Sequence, residues 1–187
     1  FEDLKNENII RSLARWLKNL HRINDLDLKN YKDCFCVSNL NAMIEKFNLR
    51  SNLFLKYILN NFDNIKLKLD RSIKGVCCNV FNLENAVVSK EKTKIFVNNI
   101  DDLCYGFVAN DINVVMGFLD DEGAKIFIDE YGKIEEIERL LNEVVGCVIA
   151  LIISGKESGF PIWCSKYLAM INEEKMLDKA KLLVEWY

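Results

Sequence analysis

Oxygen-bearing side chains crowd into residues 73–111, where Asn85, Asn99, Asp101, Asp102 and Asp111 stand between short β-branched and small apolar runs. Asparagines and carboxylates at strand ends are where a site is expected, since loops set on a rigid scaffold carry most binding and catalytic groups. The structural alternative for the same residues is Asn85 capping a strand turn, Asp101 and Asp102 as solvated loop charges, and Asp111 as a helix N-cap. Sulfur chemistry is less promising. Cys34-Phe35-Cys36 and Cys77-Cys78 match no common zinc spacing, and the one histidine, His21, falls at the end of a helical pattern. Cys78 has no basic neighbour to lower its thiol pKa, so it reads as a buried strand-end cysteine.

The elements that must hold these residues follow from periodicity. Ile73–Cys77, Ala86–Val88 and Lys94–Val97 read as three short strands, with the charged run Ser89-Lys90-Glu91-Lys92 reversing the chain between the second and third. The remainder reads as helix. Ile9, Ile10, Leu13, Trp16, Leu17 and Leu20 form an amphipathic stripe. Residues 22–37 form a polar connection, and helices are expected over Asn39–Phe47 and Asn52–Leu69. After the strands, Asn110-Asp111 suits the N-cap of a helix through Phe118. Asp120/Asp121 caps a helix over Ala124–Tyr131 that stops at Gly132. A long helix over Ile134–Ile153 and two more, Ile162–Met170 after Pro161 and Glu173–Trp186, complete the chain. With no repeat, linker or low-complexity tract, this reads as one domain of mainly α (α+β) class with a three-strand insert at about 73–98.

The stretch from Cys78 to Asp111 resembles the catalytic region of the aminoglycoside phosphotransferase and choline kinase family, a branch of the protein-kinase-like fold. That family's catalytic loop, H-x-D-x-x-x-x-N followed by a strand, corresponds to Cys78-Asn79-Val80-Phe81-Asn82-Leu83-Glu84-Asn85 followed by Ala86-Val87-Val88. Its metal loop, I-D-[FW]-[DEG] with a later Gly and Asp, corresponds to Asn98-Asn99-Ile100-Asp101, Gly106 and Asp111. Leu17-Lys18-Asn19-Leu20-His21 is similar to the L-x-x-L-H ending of the helix that opens the family's large lobe. Phe127-Ile128-Asp129-Glu130-Tyr131-Gly132 is similar to its F-x-x-x-Y-G punctuation.

The resemblance implies the helical large lobe of a kinase-like phosphotransferase, together with ATP and Mg²⁺ chemistry. It places Asn85 at the magnesium asparagine, Asp101 at a second acid beside the metal position, and Asp111 at the aspartate that anchors the loop to the body. Two functional positions depart from the pattern. Val80 occupies the place of the catalytic base, and Asn99 that of the metal-binding aspartate. Valine has no lone pair to take a proton, and removing a general base costs ~10²–10⁴ in rate. Asparagine brings an oxygen but no charge to a hard cation that prefers carboxylates. Asn85, Asn99 and Asp101, with Asp102, remain as vestigial metal candidates. The family's small nucleotide-covering lobe has no counterpart here, and the opening Phe1-Glu2-Asp3 suggests a fragment or processed chain.

The expectation is therefore a catalytically degenerate binding or scaffold module, with a protein or small-molecule partner in the former cleft. The alternative is a fragment of an ATP-dependent kinase acting on a hydroxylated small molecule, cationic because the helices after Gly106 are acid-rich. Composition excludes other classes. A net charge of −3 and pI near 5.4, with no Lys/Arg stripe, argue against nucleic acid. The apolar run Val144–Ile153 is half the length a membrane span needs, and reads as a buried helix. Seven cysteines without a secretory signal suggest reduced thiols and a cytoplasmic location.

Overall fold

The computed structural model describes residues 2–78, 86–98, 103–156 and 164–186. In chain order its helices are α1 (Glu7–Leu20), α2 (Val37–Lys46), α3 (Leu53–Asn60) and α4 (Phe62–Arg71). After the strands come α5 (Val108–Met116), α6 (Asp121–Tyr131), α7 (Glu136–Leu141), α8 (Cys147–Lys156), α9 (Cys164–Met170) and α10 (Glu174–Glu185). Between α4 and α5 run β1 (Gly75–Cys78), β2 (Ala86–Val88), β3 (Ile95–Val97) and β4 (Leu103–Gly106). The protein is mainly helical, as the patterning implies, but the strands do not make one insert. Among the described residues they form two antiparallel ribbons, β1 with β4 and β2 with β3. Leu103–Gly106, expected as loop, is a strand because Cys77 pairs with Cys104 and Gly75 with Gly106.

The chain divides into two compact units, one of Phe1–Lys29 with Ile73–Ile134, the other of Asn30–Ser72 with Glu135–Tyr187. In the first, α1 packs along α6 and also meets β1 and β3. Its predicted stripe is the core: Ile9, Ile10, Leu13, Leu17 and Leu20 are buried with Val76, Ile95, Ile112, Val115 and Phe127. Asn6 caps α1 by accepting from the Asn8 amide at 2.9 Å. Asp120 does the same for α6 by accepting from Gly123 N at 2.8 Å. Gly132, at φ 110°, ends α6 in backbone space that side chains disfavour, as the C-cap reading requires. The Ser89–Lys92 reversal is likewise present, with Lys92 N donating to Ser89 O at 2.9 Å and Lys92 at φ 52°.

In the second unit α2 packs on α8, α8 on α9, and α10 on α3 and α7. The helix expected over Asn52–Leu69 is broken at Asn61, whose φ −116° and ψ 19° leave helical space while its side-chain amide donates to Tyr57 O at 2.9 Å. The long helix expected from Ile134 is present from Glu136, interrupted by a π-helical turn at Asn142–Gly146. Its apolar end is buried as expected, through Val144, Val145, Val148, Leu151 and Ile152. Among the described residues no helix is long and apolar enough to cross a membrane.

Candidate functional site

Polar groups converge at one place in the first unit, where the C-terminal end of α1, the end of β1, the middle of α5 and the end of α6 meet around a carboxylate. Asp111 is wholly buried. It is not the N-cap of α5, as spacing suggested. That position is Phe107, and Asp111 lies inside the helix. Val108, Ile112 and Val115, one turn or two apart, are all buried, and Asp111 shares their face. The sequence carried this signal as an aspartate on the apolar stripe of a helix.

Asp111 Oδ2 accepts from the backbone N–H of Cys78 at 2.9 Å and lies 3.2 Å from Nε2 of His21. His21 caps the end of α1, as expected, but it is also buried and spans two partners. Its Nδ1 lies 2.8 Å from the Tyr131 hydroxyl. A carboxylate oxygen accepts, so Nε2 carries the proton and Nδ1 of a neutral ring accepts from Tyr131. The Tyr131 ring stands edge-on to His21 at 5.7 Å and stacks on Phe127 at 5.8 Å. Asp111 Oδ1 has no hydrogen-bond partner among the described residues. Cys77 completes the group, with one ligating atom each of His21, Cys77 and Asp111 within 4.8 Å of one another.

Two groups here, the Cys78 thiol and the Tyr131 hydroxyl, are biased towards their neutral forms. Burial, then the nearby Asp111, pushes the Cys78 thiol up to about 12, so it is no thiolate nucleophile near neutrality. Burial, followed by Cys77 and Asp111, also raises the Tyr131 hydroxyl to about 12. Close packing fixes the arrangement. A Cβ on Gly75 would meet Val108 Cγ1 at 2.6 Å and His21 O at 2.8 Å, so only glycine lets β1 approach α1 and α5 this closely.

Buried groups whose hydrogen bonds are internal suit holding the end of β1 better than general acid–base chemistry on a substrate. Of the residues singled out from the sequence, Val80, Asn85, Asn99 and Asp101 lie outside the described residues, as does Asp102. The described flanks are β1 ending at Cys78, β2 beginning at Ala86, β3 ending at Val97 and β4 beginning at Leu103. Sequence reasoning placed His21 at a helix end and missed its partnership with Asp111, 90 positions away. Comparison with family models, with curated proteins and with solved structures found no match to this chain.

Proposed function

We propose that this protein is a catalytically degenerate relative of the aminoglycoside and choline phosphotransferases, serving as a binding or scaffold module. One observation carries the reading. Asp111 stands where that family's anchoring aspartate falls, and it accepts from the amide of Cys78, the residue that opens the loop motif. His21, at the end of the L-x-x-L-H helix, grips the same carboxylate. A loop frame held in this way, with valine in place of its base and asparagine in place of its metal aspartate, keeps the architecture and loses the chemistry. Catalysis in such enzymes rests on positioning and on neutralising phosphate charge through Mg²⁺, and Asn99 brings no charge to that task. The reading assigns the former cleft to a protein or small-molecule partner rather than to phosphoryl transfer. It also places the chain in the cytoplasm, in keeping with seven cysteines of which none pairs in a disulfide.

The test is the melting temperature with and without Mg²⁺-ATP. A ligand at about a hundred times its dissociation constant stabilises a fold by about 2.7 kcal/mol. The native sequence is expected to show no magnesium-dependent shift at millimolar nucleotide, whereas the paired restoration Val80→Asp with Asn99→Asp gains one. A shift in the native protein would return it to the working kinases. No shift in the restored variant would sink the loop register itself.

A further inference from the structure

We propose that His21, Cys77 and Asp111 form a site for a divalent cation of the zinc class. The three come from α1, β1 and α5 and offer nitrogen, sulfur and oxygen, a donor set that suits Zn²⁺ and its transition-metal neighbours rather than Mg²⁺ or Ca²⁺. No sequence spacing announces it, because the ligands meet only through the fold. Their atoms lie within 4.8 Å of one another. Tetrahedral zinc, with bonds near 2.0–2.3 Å, needs ligand atoms about 3.3–3.8 Å apart. A contraction of about 1.5 Å at most closes the gap.

Two features of the surroundings favour a cation there. Asp111 Oδ1 is buried without a hydrogen-bond partner among the described residues, while Oδ2 is already held by the Cys78 amide. One oxygen is thus available for a metal and the other is fixed by its neighbour. His21 can bind through Nε2 by moving its proton to Nδ1, which then donates to the Tyr131 oxygen over the same 2.8 Å contact. A metal-bound histidine ordinarily has such an outer partner, which sets its tautomer and orientation. Cys77 gives up its weak bond to Gly75 O, at 3.4 Å, and loses its thiol proton to solvent. The thiolate and carboxylate then carry two negative charges, which one divalent cation neutralises in a buried place. Cys104 stands directly opposite Cys77 across the ribbon, with its sulfur donating to Cys77 O at 3.8 Å.

The inference does not rest on the phosphotransferase reading, and neither outcome of the Mg²⁺-ATP experiment bears on it. The test is titration of the chelator-treated, reduced full chain with Co²⁺. The expected result is one equivalent bound, with a near-ultraviolet thiolate charge-transfer band and the visible bands of tetrahedral cobalt, all bleached by Zn²⁺. Cys77→Ser should remove the charge-transfer band and weaken binding more than about tenfold, while Cys36→Ser should leave both intact. Absence of the bands in the native chain would overturn the proposal. So would their persistence in Cys77→Ser, or their loss in Cys36→Ser. Should Cys77→Ser fail to fold, X-ray absorption of the native zinc adduct decides. One or two sulfurs with nitrogen and oxygen donors support the site, and a shell without sulfur refutes it.

Discussion

The two β-ribbons of the first unit are alike in pairing and nearly alike in length, yet they differ in what holds them. All four residues of β1 are buried, and its end is tied to Asp111. The β2–β3 ribbon is one-sided. Ile95 packs inward at 8% exposure and its amide donates to Ser12 Oγ at 3.2 Å, while the cross-strand pair Val87 and Phe96 stands 51% and 55% exposed. Strand pairing alone therefore does not decide which ribbon is buried in the unit. The decisive difference is a buried carboxylate that takes two hydrogen bonds from elements far apart in sequence.

The sharpest way to break this contrast is Asp111→Ala. It strands the Cys78 amide and one His21 nitrogen in a buried setting, and leaving such buried donors unsatisfied costs about 1–3 kcal/mol each. Urea denaturation should show a loss of that size, and a loss under 1 kcal/mol would mean that the carboxylate is incidental.

Alkaline pH gives a smaller and graded effect. Cys78 and Tyr131, raised to about 12 from 9.0 and 10.0, hold their protons more tightly folded than unfolded. The native state then binds more protons than the unfolded one, so stability is intact below pH 9 and falls as pH climbs from 9 towards 12. Cys147, in the second unit, is raised in the same way by burial and adds to the fall. Melting temperatures across this range should drop less steeply in Cys78→Ala, and an unchanged slope would separate Cys78 from the effect.

The smallest effect belongs to the other ribbon. Val87→Thr and Phe96→Thr alter exposed side chains and should change stability by no more than about 0.5 kcal/mol each. A loss beyond about 1 kcal/mol in urea denaturation would show that this face carries a structural contact after all.

What was legible in the sequence divides along the same line. The α1 stripe, the Asp120 and Gly132 caps of α6, the Ser89–Lys92 reversal and the buried end of α8 follow from rules acting over one or two turns of chain. The strand Leu103–Gly106 was not legible, because Leu-Cys-Tyr-Gly lacks a clear pattern and its partner is a separate stretch of chain. The break at Asn61 and the π-helical turn at Asn142–Gly146 depend on local backbone geometry that apolar periodicity does not report. At the site, Asp111 was singled out in two ways, as an N-cap and as a loop anchor. The N-cap reading is incorrect, since a capping aspartate and a buried helical one share the same local sequence until the apolar face is drawn. Its bond from the Cys78 amide, 33 positions away, is one that no local pattern announces. His21 offered no local sign of its role, which exists only once α1 and α5 come together.

The most direct test of the central claim, that Asp111 locks the end of β1 into the core, is amide hydrogen exchange at Cys78 compared with Ser89. Both amides are hydrogen-bonded, Cys78 to Asp111 Oδ2 and Ser89 to Lys94 O, each at 2.9 Å. If the carboxylate clamps β1, Cys78 exchanges only through global unfolding and Ser89 exchanges far faster through local opening. Equal rates at the two amides would contradict the account.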